Sequence, residues 1–185
     1  MTSEKEYVSL RNEILLWQNR RFLMLSATIV IITAIFGLNK GTGNSIPAHL
    51  ISAILLLFLS GACLLTAYCG RSSAILGAFI QVFYENKNPD LKWERMNSKF
   101  PRKWYEMNLN AMIAIIYLIF GVSSIYIPFY MYGSGNDVYE YFKNRIVIIF
   151  AAIFFGTFIH LLKSQYFRED YVSIWEAVEA EQLKG

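Results

Sequence analysis

Residues 48–70 read AHLISAILLLFLSGACLLTAYCG and decide the fold. This stretch contains no Asp, Glu, Lys or Arg and is rich in Leu, Ile and Ala. A helix that crosses a bilayer needs about 20 predominantly apolar residues. Residues 22–38, 109–132 and 146–162 are equally free of charged side chains and also long enough to cross. The sequence therefore predicts four transmembrane helices.

The composition of the whole chain agrees with a lipid environment. Hydrophobic residues make up 55% and charged residues 17% of the 185 residues, whereas soluble domains average roughly 45–50% and 25%. A soluble bundle of four buried helices is the alternative, but its helices would show a polar stripe. Residues 146–150 (IVIIF) are apolar on every face. We expect an all-α protein, a four-transmembrane-helix bundle.

Lys and Arg are distributed unevenly between the segments that flank the predicted spans. Residues 1–21 contain 4 of them, residues 71–108 contain 7 and residues 163–185 contain 3, together 14 of the 17 in the chain. Basic residues accumulate on the cytoplasmic side of membrane proteins. We therefore expect residues 1–185 to form one multi-pass domain of a bacterial inner membrane, with both termini and the middle connection in the cytoplasm.

Apolar periodicity continues beyond the spans on this predicted cytoplasmic side. One helix face before the first span repeats at spacings of three and four: Tyr7, Leu10, Ile14, Trp17 and Arg21. The tail repeats the pattern with Phe167, Tyr171, Ile174 and Val178. Residues 74–84 carry the second span onward past Arg71. Because this spacing is typical of one face of a helix, we expect helices that extend into the cytoplasm and pack there or against a partner.

Small residues recur four apart around the cytoplasmic end of the second predicted span (Thr66, Gly70 and Ala74, and likewise Ser73 and Gly77) and within the fourth. The candidate helix-packing positions are Thr66, Gly70, Ala74, Gly77, Ala152 and Gly156. In lipid, such stripes allow the backbones of two helices to approach closely. Packing within one chain and packing between chains explain the pattern equally well.

The predicted spans offer few groups for chemistry. They contain no Asp, Glu, Lys or Arg, although proton relays and ion-coupled transport normally use such residues. His49 and His160 fall near opposite membrane surfaces, and Cys63 and Cys69 point to different faces of one helix. Neither pair has the spacing of a metal site. We expect no enzyme activity, no cofactor and no metal.

Aromatic and charged residues on the cytoplasmic side form a candidate docking surface. Its members are Trp93, Glu94, Arg95, Trp104, Trp17 and Trp175. Aromatic and Arg side chains are the usual energetic anchors of protein interfaces. The basic residues between positions 92 and 103 could also contact anionic lipid or RNA, but the orientation rule already requires positive charge here. We expect the lipid bilayer, further copies of the chain and a cytosolic protein as partners, and no nucleic acid.

Two stretches resemble a known group of proteins. Residues 6–14 (EYVSLRNEI), followed by Gln18 and the pair Arg20-Arg21, are similar to the opening of small multi-span bacterial membrane proteins. Residues 78–85 (AFIQVFYE) and 91–94 (LKWE) resemble the segment after the second span of those proteins. Some members accompany antiviral defence systems, as membrane-perturbing effectors or as membrane subunits that hold a cytosolic partner. The resemblance implies no catalytic residues.

These observations define three expectations for function. The first is a non-enzymatic, oligomeric inner-membrane subunit that docks a cytosolic partner and senses or perturbs the membrane, for example as a pore-forming effector of antiviral defence. The second is a passive anchor or scaffold for a cytosolic enzyme. The third is a membrane enzyme that modifies lipid.

The distribution of Lys and Arg gives a prediction about topology. A reporter that is active only in the cytoplasm should be active when fused after Gly185 and inactive when inserted at Gly135, because 14 of the 17 basic residues lie on the side of the termini. A periplasm-specific reporter should show the reverse pattern. Activity of the cytoplasmic reporter at Gly135 would invert every assignment of sides above.

Overall fold

The fold is described from a computed structural model, which describes residues 2–41, 46–88, 91, 109–132, 145–164 and 168–183. These residues form α-helices and a short π-helix, and no strand occurs among them, so the all-α prediction is confirmed. The elements are α1 (Thr2–Gly41), α2 (Ala48–Ile80) with the π-helix Gln81–Glu85 at its end, α3 (Leu109–Tyr132), α4 (Arg145–Lys163) and α5 (Arg168–Gln182).

Helices α1 to α4 are long and apolar enough to cross a membrane. At 1.5 Å per residue, the 40 residues of α1 extend about 60 Å and the 33 residues of α2 about 50 Å. The hydrocarbon core of a bilayer is only about 30 Å thick. Both helices therefore project well beyond it, as the apolar periodicity outside the spans predicts. We call residues 2–21 and 71–88 together with α5 the helical extension.

The bundle is built around α2. In the most apolar window of α2, 61% of the residues are buried, against 11% in α1, 33% in α3 and 22% in α4. One core cluster joins α2 to both α3 and α4 through Cys63, Tyr117 and Phe154. A second cluster brings Ala48 and Val147, at the starts of α2 and α4, next to the end of α3. Helices α2 and α4 consequently run in the same direction, and α3 runs opposite to both.

The outer faces of the four long helices are apolar. Exposed large hydrophobic side chains occur on each of them, for example Val30, Leu57, Ile119 and Ile149. Soluble monomers rarely expose apolar patches on this scale. The pattern favours a bundle surrounded by lipid over a soluble four-helix bundle.

A close approach of α3 and α4 depends on Gly121. A Cβ atom built on Gly121 would lie 2.2 Å from Cε1 of Phe154, and Phe154 is fully buried. Two helices that gain nothing from hiding apolar surface in lipid associate through this kind of close packing. A larger residue is therefore less well tolerated at Gly121 than at Gly37, Gly61, Gly70 or Gly156.

We expect Gly121→Ala to lower the midpoint of thermal unfolding in detergent, because displacing a buried Phe ring costs about 1–3 kcal/mol. Gly61→Ala is the matched control. No atom outside its own helix lies within 4 Å of a Cβ at that position, so its midpoint should be unchanged or slightly higher. Equal midpoints for the two variants would contradict the α3–α4 contact.

Candidate functional site

The first half of α1 packs against the end of α2 through the face that the sequence predicts. Tyr7 and Ile14 are buried together with Ile80, and Leu10 and Leu76 pack against this cluster. The Tyr7 hydroxyl donates a long hydrogen bond of 3.4 Å to Oε1 of Glu85, which belongs to the π-helix. Apolar burial in water drives this contact, so the two helices stay paired where they leave the lipid.

Helix α5 covers the same end of α2 with an aromatic contact. The Trp175 ring meets Phe79 edge-on at 5.2 Å between centroids and Phe83 at 6.0 Å. Lys87 forms a 2.8 Å ion pair with Glu179 of α5, and its Nζ lies 5.4 Å from the centroid of the Phe83 ring. The tail therefore packs on the chain itself, which is one of the two arrangements that its periodicity predicts.

The three parts of the extension enclose a cleft of about 380 Å³. We call it the aromatic cleft. Glu6 of α1, the end of α2 and its π-helix, and α5 provide its walls: Glu6, Phe79, Phe83, Tyr84, Trp175, Val178 and Gln182. The π-helix contributes Phe83 and Tyr84, and such segments are frequent at functional sites.

Among the described residues that line the aromatic cleft, Glu6 is the charged one. Glu6 is exposed, and its carboxylate interacts with the hydroxyl of Tyr84. Glu176 and Glu181 are exposed on α5. No Lys or Arg occurs between residues 170 and 183. Carboxylates beside several ring faces create a negative potential, which attracts a cation and repels an anion.

The structure separates the predicted docking residues. Trp175 forms a wall of the aromatic cleft. Trp17 lies 11 residues beyond Glu6 on α1, where its ring meets Tyr68 edge-on at 5.7 Å and the Arg20 guanidinium lies over it at 4.6 Å from the ring centroid. Trp93, Glu94, Arg95 and Trp104 lie outside the described residues.

The small-residue positions of α2 face the interior of the chain. Thr66 is buried and forms a 2.9 Å hydrogen bond with the Tyr117 hydroxyl. A Cβ on Gly70 would lie 3.6 Å from Cζ of Arg21, Gly77 is buried and Ala74 is partly buried. These contacts of Thr66 and Gly70 are made within one chain.

Ala152 and Gly156 of α4 behave differently from the α2 positions. Both are exposed on the surface of the bundle. No atom outside α4 lies within 4 Å of a Cβ built on Gly156. These two positions are therefore open to contact from another molecule or from lipid.

The sequence analysis missed a polar cluster between α1, α2 and α3. The Tyr117 hydroxyl bonds to Thr66 and lies beside Thr28, and both threonines are fully buried. Arg21 is electrostatically coupled to Tyr117 and Cys69. The position of Tyr117 could have indicated this cluster, because the other tyrosines of the predicted span 109–132 (Tyr126, Tyr130 and Tyr132) lie towards its end. Arg21, which the periodicity places on the same helix face as Tyr7 and Ile14, is buried, with 6% of its surface exposed.

Among the described residues, no three His, Cys, Asp or Glu side chains are placed to hold a metal ion. Cys63 and Cys69 are buried free thiols. The features that stand out for function are the aromatic cleft and the buried Arg21.

The fold defines a helical protein with four potential membrane spans and a helical extension. No protein-family model, curated protein or solved structure matches the chain. The resemblance of residues 6–14 and 78–94 to small bacterial membrane proteins therefore stays a prediction. Any functional conclusion rests on the geometry of the two sites.

Proposed function

We propose that this chain is a non-enzymatic bacterial inner-membrane subunit that docks a cytosolic partner in the aromatic cleft. The supporting observation is an aromatic cavity of about 380 Å³ with a carboxylate at its wall. It lies where the start of α1 meets the end of α2, beyond the uncharged residues 22–38 and 48–70 of these helices. Its ring faces and acids suit a partner segment rich in Lys or Arg.

The contacts of Lys87 support a basic partner. Its ammonium group already lies over the Phe83 ring and pairs with Glu179. The same wall therefore holds a cation within the chain, through the two interactions that a partner Lys or Arg would use in the cleft. A cation over an aromatic ring contributes about 0.5–2 kcal/mol, depending on its desolvation. Several such contacts together would hold a partner segment.

A synthetic peptide of Arg, Lys and Gly tests this surface directly. In nanodiscs of phosphatidylcholine, whose lipid carries no net charge, the purified protein should bind the basic peptide and not a peptide with Glu in place of Arg and Lys. Glu6→Gln should weaken binding about threefold, the loss expected for one partly exposed ion pair. Fluorescence anisotropy of the labelled peptide gives both affinities.

Glu4→Gln is the matched control for this experiment. Glu4 is exposed one half-turn from Glu6 and does not line the aromatic cleft, so its removal should leave the affinity unchanged.

In cells, a photo-crosslinking residue at Gln182 should trap a soluble protein, and Glu6→Lys should abolish that product. Equal binding of the basic and acidic peptides, or equal effects of the Glu4 and Glu6 variants, would refute docking in this cleft.

The proposal includes an oligomer assembled through α4. Ala152 and Gly156 are exposed one turn apart on that helix, and small residues at this spacing let helices in lipid approach closely. A pore, if the protein forms one, would lie between several copies.

Gly156→Leu should reduce the mass of the complex measured by native mass spectrometry in mild detergent, because a bulky side chain would keep two copies of α4 apart. Gly61→Leu is the matched control, since Gly61 has equally open space but lies on α2. A monomeric wild-type protein, or complexes of the same mass in both variants, would refute assembly through α4.

The passive anchor and the lipid-modifying enzyme remain the two alternatives. An anchor would bind its partner and leave liposomes impermeable, whereas a membrane-perturbing subunit should release an entrapped dye once the partner is added. The pore-forming and antiviral roles rest on the sequence resemblance. Dye release by the purified protein with its captured partner is the measurement that separates the first two functions.

A further inference from the structure

Arg21 occupies an unusual position for a charged residue. It directly precedes the apolar residues 22–38, and its side chain packs against Gly70, the last residue of the uncharged stretch 48–70. Only 6% of its surface is exposed. The guanidinium group therefore lies in the seam between α1 and α2, where the uncharged stretch of each helix begins or ends.

Within the part of the chain that the structure describes, Arg21 forms no ion pair or hydrogen bond, and its Nε is buried without a partner. Its electrostatic neighbours are the Cys69 thiol and the Tyr117 hydroxyl, and neither supplies a full negative charge. A buried charge is costly unless it is paired and hydrogen-bonded. An anion at this seam would remove that cost.

Two further unpartnered groups lie within one helical turn of the contact between Arg21 and Gly70. Nε1 of Trp17 and Oγ of Ser73 are both buried without a hydrogen-bond partner among the described residues. Trp17 precedes Arg21 by one turn on α1, and Ser73 follows Gly70 by one turn on α2. Arg20 stacks on the Trp17 ring and adds a second guanidinium. The seam thus offers several donors and positive charges to one anion.

We infer that this seam binds the phosphate group of an anionic phospholipid. The seam adjoins the uncharged stretches 22–38 and 48–70, and lipid phosphates lie just outside the hydrocarbon core that such stretches cross. Phosphate has several acceptor oxygens, and a guanidinium binds them strongly through paired hydrogen bonds. Basic pockets between transmembrane helices on the cytoplasmic side are a recurrent place for such headgroups. Lipid chains would then cover the exposed apolar faces beside α1.

Lipid-dependent stabilisation tests the site. A ligand that binds only the folded state raises the midpoint of thermal unfolding. The wild-type midpoint should be higher in nanodiscs of an equal mixture of phosphatidylglycerol and phosphatidylcholine than in pure phosphatidylcholine. Arg21→Gln should abolish most of this difference and lower the affinity for phosphatidylglycerol about tenfold, since it removes the charged hydrogen bonds.

Lys163→Gln is the matched control, because it removes the same charge from an exposed position at the end of α4 on the same side of the bundle. It should keep the full lipid effect. Ser73→Ala covers the case in which Arg21→Gln fails to fold: it removes one unpartnered donor, and it should reduce the lipid effect in part.

A further measurement distinguishes a lipid phosphate from a phosphate ion in solution. Inorganic phosphate added to the protein in phosphatidylcholine nanodiscs should raise the midpoint little compared with phosphatidylglycerol. An equal rise would assign the site to soluble phosphate and overturn the lipid source. The inference is also overturned if phosphatidylglycerol stabilises the Arg21 and Lys163 variants equally, or stabilises none of the proteins. None of these outcomes depends on partner docking.

Discussion

In lipid, apolar side chains gain nothing by leaving the solvent, and this constraint shapes the whole membrane part of the molecule. Helices associate there only through close packing and hydrogen bonds. Both occur along the surfaces of α3: Gly121 admits the Phe154 ring from α4, and Tyr117 bonds to Thr66 of α2. The remaining apolar side chains stay outside and face the bilayer, which is why large residues such as Val30 are more than half exposed.

Outside the lipid, burial of apolar side chains stabilises the packing of the same chain. Removing apolar surface from water is favourable, and each helix of the extension carries its apolar residues on one face. Tyr7, Ile14 and Ile80 are buried together, and Trp175 covers Phe79. Because α1 and α2 pass through both solvents without a break, one pair of helices combines the two modes of packing. The change from one mode to the other falls near Arg21 and Gly70.

The sequence predicted those features that depend on local pattern. Uncharged stretches gave the spans, and three–four periodicity gave the buried face of α1, including Tyr7 and Ile14, because each depends only on neighbours along one helix. It could not predict which helix lies at the centre, since all four spans are similarly apolar. Gly121 was missed because its importance depends on the position of Phe154, 33 residues away.

The same difference between local pattern and contacts between helices applies to the predicted functional residues. Trp175 and the tail were identified as an amphipathic face, but the aromatic cleft exists only where that face meets Glu6 and Phe83 from other helices. Likewise, Arg21 was assigned to the buried face of α1 by its spacing, while its isolation from a counter-charge depends on what α2 places opposite. Gly70, Cys69 and Ser73 provide no negative charge there.

The two sites share their supporting helices, and this has a thermodynamic consequence. Glu6 and Arg21 lie on one uninterrupted helix, about 22 Å apart along its axis. Gly70 and Phe83 lie 13 residues apart on the continuous helix that α2 forms with its π-helix. A phosphate that holds Arg21 against α2 therefore also restricts the position of the Glu6 wall relative to the Phe83 wall. If that position differs between the free and the docked cleft, lipid and partner affect each other's affinity by the same factor, because coupling between two binding sites is reciprocal. Binding of a basic partner segment would then be sensitive to the lipid around α1, and this is the physical basis on which a docking subunit of this build could sense its membrane.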